Sequence, residues 1–492
     1  MEVEADIASG VPGLKTVGLA EGAVREAQER VKAAIKNSGF EFPNRRITVN
    51  LAPADTRKEG SAFDLPMALG IMAANGELGR ERLGDYLILG ELGLDGRIKG
   101  VKGALPTALL ARTRNFAGVI LPKENASEAA VVSDGPAMLG AETLSEVVQF
   151  LHGQHPLEPA HVDLAQIFRA NAAYAVDFSE VRGQEQAKRA LEVAAAGGHN
   201  VLMLGPPGSG KTMLAKRLPT ILPDMTFGEA IETSKVHSVM GLLEGQALIT
   251  TRPFRAPHHT ISDAGLIGGG ALPRPGEVSL AHNGVLFLDE LPEFRKNVLE
   301  VLRQPLEDAR ITISRAMGTL SFPASIMLVA AMNPCPCGFY TDPQHECTCS
   351  SIVVQRYRSR ISGPLLDRID IHIEVPAVKY KDLAQGGPAE SSAAIRVRVA
   401  AARELQLRRL SARNLYCNAQ MGAREIESFC RIDSAGERLL ELAINRLGLS
   451  ARAYTRILKV ARTVADLEGH EAIGAWHISE AIQYRSLDRV AA

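Results

Sequence analysis

The first 150 residues alternate apolar and polar positions in short segments that predict both strands and helices. Glu2–Ile7 alternates with a period of two, which is typical of a half-buried strand. Residues 21–38 repeat their apolar positions with a helical period, and Gly39 follows where a helix C-terminus favours glycine. We therefore expect a mixed α/β domain over residues 1–150. The same patterns predict strands over 45–53, 86–92 and 116–122 and helices over 63–78 and 103–113.

A second block, residues 177–383, contains continuous apolar runs that alternate with helical patterns. The runs 200–204, 284–289 and 325–333 lack polar alternation, as expected of parallel strands buried on both faces. Residues 369–375 do alternate, so this strand should lie nearer the edge of the sheet. Strands and helices in alternation predict a parallel α/β core.

Two loosely patterned segments flank this core. Residues 151–176 show weak periodicity and few strand-forming residues, so we interpret them as a linker. Residues 384–392 are rich in glycine, proline and serine, which is typical of a joint between domains. The final residues, 393–492, carry helical patterns without a strand signal and predict a helical domain.

The composition is ordinary for a folded globular protein. Hydrophobic residues make up 46% and charged residues 23% of the 492 residues, and this length suggests about three domains. The net charge of −1 lacks the positive excess of many nucleic-acid-binding proteins, so any DNA contact must come from local patches. No apolar run could span a bilayer, and the first residues carry no secretory pattern. We expect a cytoplasmic protein without a membrane partner.

Residues 205–212 carry the strongest chemical signal of the chain. They fit G-x-x-x-x-G-K-[ST], after an apolar strand and before the helical pattern TMLAKRL. Glycines let such a loop curl round phosphates with its N–H groups pointing inward, while Lys211 adds positive charge and the Thr212 hydroxyl binds Mg²⁺. The pattern predicts an ATP site formed by Gly205, Pro206, Pro207, Gly208, Ser209, Gly210, Lys211 and Thr212.

Acidic and amide side chains end two of the buried strands. Asp289 can hold Mg²⁺, and Glu290 can orient and deprotonate the attacking water. Asn333 can reach the γ-phosphate with its amide; the alternative is a turn asparagine before Pro334. Because the carboxyl ends of parallel strands form the ligand edge of an open sheet, these residues complete a predicted hydrolysis site.

Four arginines are candidates for stabilising transition-state charge on the phosphates. Arg368 lies between a predicted helix and strand, where it could reach the ATP of a neighbouring subunit. Arg356 and Arg360 precede it, and Arg452 starts a predicted helix of the last domain, where it could reach phosphates of its own chain. Since each could equally be a solvated cation at a helix end, the residues alone do not choose among them.

Four of the six cysteines crowd into residues 335–349 as two C-x-C pairs. Four thiolates in two close pairs can complete a tetrahedral Zn²⁺ shell, although C-x₂-C is the usual spacing. The alternative is four reduced thiols without a metal. His258 and His259 are adjacent, so we expect their side chains to diverge rather than share a metal. We predict Zn²⁺ bound by Cys335, Cys337, Cys347 and Cys349.

Two segments are candidates for DNA contacts. Residues 310–322 predict a hairpin with Arg315 near its tip, and residues 254–270 form a glycine-rich insertion that carries Arg255. In a ring of subunits such loops can face a central channel and follow the phosphate backbone. Ordinary surface turns are the alternative.

Several long segments together point to a family. The chain resembles the ComM (YifB) family of magnesium-chelatase-like AAA+ proteins along its whole length, in residues 13–71, 178–212, 254–270 (FRAPHHTISDAGLIGGG), 275–294, 332–339 (MNPCPCGF) and 360–376 (RISGPLLDRIDIHIEVP). The resemblance implies a P-loop AAA+ three-layer α/β core, an N-terminal Lon-protease-like domain of mixed α/β (S5) type and a C-terminal helical lid. It also implies a homo-hexameric ring that uses ATP to drive branch migration of DNA during natural transformation, with recombination proteins as further partners.

The resemblance also assigns residue roles. By position in the family motifs, Asn333 corresponds to sensor 1, Arg368 to the arginine finger and Arg452 to sensor 2. Family members carry a further strand upstream of residue 1, so the resemblance implies that the first domain begins one strand late.

The Lon-like domain departs from the proteases of that fold, which use a Ser–Lys pair. Ser61 occupies the serine position, but Leu105 occupies the lysine position, and Lys99 and Lys102 are out of register. A serine without an activating base is a poor nucleophile. We therefore expect a non-proteolytic scaffold that serves DNA binding or assembly.

Other functions share the same core motifs. A metal-insertion ATPase like the magnesium chelatase motor subunit, and an ATP-dependent chaperone or protease, would both act on a protein partner. The Lon-like block and the PCPC cluster favour the DNA motor, and the intact Glu290 argues against a passive nucleotide-binding scaffold. DNA-stimulated ATPase activity separates these alternatives.

Overall fold

The chain folds into two compact units. The first comprises residues 1–171 and 230–250, and the second comprises residues 172–229 and 251–492. Residues 230–250 therefore pack with the first unit although they interrupt the second in sequence. The computed structural model describes residues 1–18, 22–55, 58, 60–132, 134–170, 174–270, 273–315, 318–340, 342, 345–378, 389–447 and 449–485.

Short strands form three small sheets in the described part of the first unit. They are β1 (Glu2–Ala8), β2 (Gly13–Val17), β3 (Arg46–Ala52), β4 (Tyr86–Ile88), β5 (Glu91–Leu92), β6 (Ile98–Lys99), β7 (Gly118–Pro122) and β8 (Ala137–Ala141). The sheet orders are β1-β3-β2, β4-β7-β8 and β5-β6. The helices are Gly22–Asn37, Asp64–Ala74, Arg80–Leu83, Ala104–Thr113, Lys123–Ala129, Leu144–Leu151 and Leu164–Ala170, and helix Phe227–Met240 enters the unit from the second.

Alternating burial explains the first of these sheets. In β3, Ile47, Val49 and Leu51 are fully buried, while the residues between them are partly exposed. The antiparallel register pairs Val3 with Leu51 and Ile7 with Ile47, so the apolar positions of both strands share one face. The first two helices of the unit pack against these strands and complete one hydrophobic core.

The single strand predicted over 86–92 is wrong, because the chain changes sheets within it. The Gly90 N–H donates to the carbonyl of Ala62 at 3.0 Å, and the Leu65 N–H donates to the carbonyl of Gly90 at 3.0 Å. A side chain at Gly90 would lie 2.8 Å from Ile98. Gly90 thus lies between β4 and the separate ribbon of β5, and its lack of a side chain permits the close approach.

The second unit is built on a five-stranded parallel sheet. Its strands, with those of two hairpin ribbons, are β9 (Val201–Leu204), β10 (Phe254–Arg255), β11 (Gly268–Gly269), β12 (Arg274–Pro275), β13 (Val285–Leu288), β14 (Arg310–Arg315), β15 (Gly318–Pro323), β16 (Met327–Met332) and β17 (Ile371–Glu374). The main sheet has the order β10-β13-β16-β9-β17, and β11-β12 and β14-β15 are antiparallel ribbons. The predicted buried strands are confirmed as β9, β13 and β16, and β17 lies at an edge as predicted.

Helices cover both faces of this sheet. Val201 and Met203 of β9 belong to one hydrophobic cluster, whereas Leu202 and Leu204 belong to another, so alternate residues face two different helical layers. The predicted helical character of the C-terminal residues is confirmed over their described part. The helices of the unit are Glu185–Gly197, Lys211–Arg217, Asp263–Ile267, Glu277–Leu280, Lys296–Glu300, Arg303–Asp308, Ser351–Arg358, Gly363–Leu366, Ser392–Leu410, Ala423–Phe429, Ser434–Leu447, Ala451–Leu467 and Ala475–Gln483.

Membrane insertion finds no support in the helices. Among the residues that the structure describes, no helix has both the length and the apolar character needed to cross a bilayer.

Candidate nucleotide-hydrolysis site

The predicted phosphate loop follows β9 in the interior of the main sheet and leads into helix Lys211–Arg217. Gly208 and Gly210 have φ angles of 75° and 89°, in the left-handed region that favours glycine. A Cβ at Gly205 would lie only 2.1 Å from the backbone oxygen of Val375. Backbone conformation and close packing therefore require these glycines.

Lys211 is a buried cation at the start of this helix. Its Nζ donates to the carbonyl oxygens of Gly205 at 2.7 Å and Pro206 at 2.8 Å, and to Oδ1 of Asn333 at 3.3 Å. Burial lowers the pKa of Lys211, and two nearby carboxylates oppose that shift. The structure thus brings the loop lysine and the amide at the end of β16 into contact.

Thr212 and Asp289 form a second contact between the loop and the sheet edge. The Thr212 hydroxyl donates to Oδ2 of Asp289 at 2.7 Å. Mg²⁺ binds oxygens at about 2.1 Å in an octahedron, so neighbouring ligands lie about 3 Å apart. The two oxygens already have nearly this separation, so the pair fits two neighbouring positions of a Mg²⁺ shell.

Glu290 contacts a residue that sequence reasoning missed. Its backbone is left-handed at φ 52°, and its Oε2 lies 3.4 Å from Nδ1 of His259. The rings of His258 and His259 have centroids 4.0 Å apart, so the expected divergence of the two side chains is wrong. The two rings are tilted by 35° to each other, and His259 also packs edge-on against Phe294. The carboxylate predicted to activate water is therefore held by the 254–270 segment.

Gln184 is a further residue at the phosphate loop, and it lies outside the phosphate-loop motif of residues 205–212. Its Nε2 donates to the carbonyl of Ser209 at 2.6 Å, so it supports the far end of the phosphate loop. Its own backbone is left-handed at φ 58°, immediately before helix Glu185–Gly197. The stretch 178–212, which carried part of the family resemblance, contains it, but no local pattern marks its role.

Arg368 and Arg452 lie together, away from the phosphate loop in the described contacts. Arg368 is buried, and its Nη2 pairs with Glu307. Arg452 pairs through Nη1 with Oδ2 of Asp367 at 3.3 Å. Both arginines line one cavity of about 250 Å³, together with Lys459. Two residues that the sequence placed in different domains therefore form one cationic site.

The other two candidate arginines lie on the segment that precedes this cavity. Nη1 of Arg360 pairs with Oε2 of Glu293 at 3.0 Å, on the turn Leu291–Glu293 that follows Glu290. Arg356 is exposed on helix Ser351–Arg358.

The four clustered cysteines converge on one point. All four Sγ atoms lie within 4.8 Å of one another, and the three closest pairs are separated by 3.3, 3.6 and 3.7 Å. A tetrahedron with Zn–S bonds of about 2.3 Å has edges of about 3.8 Å. The Sγ separations are close to these edges, so the donor set and its spacing fit a tetrahedral thiolate metal site.

The pKa shifts of these thiols also fit a bound cation. A hydrogen bond from the Phe339 N–H and contact with the Cys335 thiol lower the pKa of Cys337 to about 6. At Cys347 the N–H of Cys349 lowers the pKa, but desolvation and the neighbouring thiols outweigh it and raise the pKa to about 12. Thiolates this close repel one another, so a bound cation is needed for all four to ionise.

A second group with metal-ligating side chains lies in the helical region but does not suit a metal. Donor atoms of Glu468, His470 and His477 lie within 4.8 Å of one another. However, the Gly474 N–H donates to Nδ1 of His477 at 2.8 Å, so the ring proton sits on Nε2. Nε2 faces Glu468 at 3.7 Å as a donor, and it has no lone pair for a metal.

In the first unit, Ser61 contacts an acidic side chain. The Ser61 hydroxyl donates to the carboxylate of Glu91, and Leu105 is fully buried. The neighbouring Asp64 pairs with Arg30 at 2.8 Å. In these contacts a carboxylate, rather than a lysine, binds the serine hydroxyl.

The two candidate DNA segments differ in the structure. The hairpin predicted over 310–322 is confirmed as β14 and β15; Arg315 pairs with Gly318 through the backbone, and its side chain lies outside the description. Arg255 belongs to β10 of the main sheet rather than to an inserted loop, since it pairs with Leu286 of β13. Its guanidinium donates two hydrogen bonds to Glu277, of 2.7 and 2.8 Å. Arg255 is therefore engaged in an ion pair within the protein, and DNA contact by the hairpin stays a prediction.

The phosphate loop follows the interior parallel strand β9, Asn333 follows the adjacent strand β16, and Asp289-Glu290 follow the next strand, β13. This arrangement defines the AAA+ class of P-loop ATPases. Comparison with known families agrees. Residues 177–383 match the family described as magnesium chelatase, subunit ChlI, and residues 389–485 match its C-terminal family. Residues 3–125 match the family described as subunit ChlI of Mg-chelatase.

Whole-chain relatives narrow the class further. The competence protein ComM of Haemophilus influenzae is 48% identical over 491 residues, which cover 99% of this chain and 95% of the relative. The uncharacterized protein YifB of Escherichia coli is 45% identical over 490 residues, with 99% and 94% coverage. Lon protease 2 of Bacillus subtilis is 29% identical over 158 residues, 28% of this chain and 26% of that protease. The chain belongs to the ComM/YifB family of magnesium-chelatase-like AAA+ ATPases.

Proposed function

We propose that this protein is an ATP-driven translocase that promotes branch migration of DNA when transforming DNA is recombined. The observation that carries the proposal is the assembled contact set at the sheet edge, in which Lys211 meets Asn333 and Thr212 meets Asp289. The link to DNA rests on the relative named as a competence protein and on the β14-β15 hairpin. A motor with this substrate works in the cytoplasm.

The residues at the sheet edge divide the work of hydrolysis. ATP supplies the phosphoanhydride bond, and Mg²⁺ neutralises charge on its phosphates. Lys211 and the loop N–H groups bind the β- and γ-phosphates, while Thr212 and Asp289 hold the metal side of the site. Glu290 takes a proton from the attacking water, and Asn333 orients that water and the γ-phosphate.

In the proposed homo-hexamer, Arg368 and Arg452 contact the phosphates of ATP. Both line one cavity, where they pair with Glu307 and Asp367, and neither contacts the phosphate loop among the described contacts. Arg368 is therefore proposed to reach the ATP of a neighbouring subunit, while Arg452 keeps its predicted role at the phosphates of its own chain. Arg368 must leave Glu307 to act as the finger. Mixing Arg368→Ala chains, which bind but do not complete a neighbour's site, with Glu290→Gln chains should restore more ATPase than either variant shows alone. Strictly additive rates would contradict a shared site.

The four-cysteine cluster, formed by Cys335, Cys337, Cys347 and Cys349, is proposed to bind Zn²⁺. Four converging thiols at nearly tetrahedral spacing match zinc better than harder cations, which prefer oxygen ligands.

The first unit is proposed to act as a scaffold for DNA or assembly. The Ser61 hydroxyl is bound by the carboxylate of Glu91, and the buried Leu105 stands where the resemblance expects the lysine, so the Ser–Lys pair is not formed.

The second candidate is a magnesium-chelatase-like motor that acts on a protein partner. The family matches over residues 177–383 and 389–485 support this candidate as much as the DNA motor. A branch-migration assay on a labelled three-strand DNA junction separates the two. The proposed function predicts ATP-dependent strand displacement by the wild-type protein and none by Glu290→Gln. ATP hydrolysis without strand displacement or DNA binding would favour the motor that acts on a protein.

A further inference from the structure

The loop that carries the cysteines packs directly against the phosphate loop. Gly338 lies between the two C-x-C pairs, and its N–H donates to the carbonyl of Cys335 at 3.0 Å. A Cβ on Gly338 would lie 2.5 Å from Cδ and 2.7 Å from Cγ of Pro207, in the middle of the phosphate loop. The proline ring is rigid, so this contact transmits any displacement of the cysteine loop to the phosphate loop.

The rest of the cysteine loop is tied to the same site. The loop begins directly after Asn333, whose Oδ1 contacts Lys211 at 3.3 Å. The carbonyl of Pro334 accepts a hydrogen bond from Nε of Arg358 at 3.1 Å, and the Arg358 guanidinium lies over the ring of Tyr340 at 5.3 Å. These contacts fix the start of the loop, so the position of Gly338 depends on the cluster of thiols beside it.

We propose that metal occupancy of the four-cysteine cluster sets the affinity of this protein for ATP, through the Gly338–Pro207 contact. The proposal rests on the ATP site and the thiolate metal site proposed above. With Zn²⁺ bound, the four thiolates share one centre and the turn Cys335–Gly338 holds the phosphate loop in its anion-binding shape. Without the metal, no bond holds the four sulfur atoms at one centre, so the turn Cys335–Gly338 can relax and the phosphate loop loses the contact with Gly338.

The test measures metal content and ATP affinity on the full-length chain. The purified protein should carry about one Zn²⁺ per chain, since one tetrahedral site uses all four thiols. Removing the metal with an excess of chelator, followed by return to Mg²⁺ buffer, should weaken ATP binding about tenfold, and added Zn²⁺ should restore it. A stripped protein that binds ATP with unchanged affinity would overturn the proposal, as would a chain that binds no zinc.

A glycine variant tests the contact separately from the metal. Gly338→Ala should keep its zinc but bind ATP about tenfold more weakly, because the new methyl group displaces Pro207. Gly469→Ala is the matched control: its φ is +71° against +90° for Gly338, and nothing lies within 4 Å of the added Cβ. The control should keep both zinc and ATP affinity, and equal effects of the two variants would show backbone strain instead of the contact.

These readouts keep the proposal apart from the proposed function. ATP affinity and zinc content require no DNA, so a protein that fails to migrate branches can still pass both tests. A wild-type chain that binds no ATP with or without zinc would refute the ATP site itself. Circular dichroism and a thermal melt on each variant confirm that it is folded before its affinity is compared.

Discussion

At the scale of single residues, the sequence identifies groups whose roles depend on their neighbours in the chain. The phosphate loop, Asp289-Glu290 and Asn333 each end or follow a recognisable apolar strand, so local pattern is enough to locate them. Gln184 and His259 reach the site only through long-range contacts, and no local pattern predicts a contact between residues far apart in sequence.

The contact between His259 and Glu290 has a kinetic consequence. The imidazole of His259 holds the Glu290 carboxylate away from the attacking water, so His259→Ala should raise the DNA-independent kcat about three- to tenfold with little change in KM for ATP. His259→Gln can still donate to the carboxylate and should stay near the wild-type rate.

His258→Gln is the matched control for this prediction, because His258 bonds within its own loop to Thr260 at 2.9 Å. It should leave the basal rate unchanged. A fall in kcat for His259→Ala comparable to that of Glu290→Gln would instead show that His259 is needed for the chemistry.

Buried titratable groups make the second unit sensitive to acid. Burial lowers the pKa of His199 and lowers that of His372 to about 3. Because these folded pKa values lie below the unfolded value of about 6.5, their stabilising contribution is complete above that pH and is lost as the pH falls. The free energy of unfolding should therefore drop below pH ~6.5, by up to about 1.4 kcal/mol per pH unit for each histidine.

Asp370 adds a further loss of folding stability at lower pH. Burial raises its pKa, but the charge of Arg456 and the contact with His199 outweigh burial and lower it, so its contribution is lost only as the pH falls below ~4. Urea unfolding at pH 7.5, 6.5 and 5.5 measures the histidine effect, and His372→Asn should reduce the slope. A stability that does not change over this range would contradict the burial of these histidines.

At the scale of elements, long apolar runs were predictable and short strands were not. β9, β13 and β16 are buried on both faces, so composition alone marks them. β10 has two residues, which pair with β13. Two residues are too few to show a periodic pattern. The single strand predicted over 86–92 failed because a sheet change at Gly90 leaves no mark in the apolar pattern.

The placement of β10 changes what Arg255 does. Its two hydrogen bonds to Glu277 tie the edge strand to helix Glu277–Leu280, so Arg255→Gln should destabilise the second unit by about 1 kcal/mol and leave DNA affinity unchanged. Glu277→Gln should have a similar effect, and the double variant should cost little more than either single change. Loss of DNA binding in a fully folded Arg255→Gln protein would return Arg255 to the DNA interface.

At the scale of the whole molecule, residue order misleads about which parts pack together. Residues 230–250 interrupt the ATPase block in sequence but belong to the first unit, and the pattern of apolar residues cannot show this. Arg368 and Arg452 lie far apart in sequence yet line one cavity. The AAA+ class could be predicted from motifs, whereas the site shared between subunits that we propose depends on folding and assembly, which motifs do not describe.

The most direct measurement is the ATPase rate of the purified protein with and without a four-way or three-strand DNA junction, beside Glu290→Gln. The account predicts strong stimulation by the junction, less by linear duplex, and loss of both basal and stimulated activity in the variant while it still binds ATP. An ATPase that ignores every form of DNA would leave the AAA+ class intact but contradict a DNA branch-migration motor, and the partner would then be a protein.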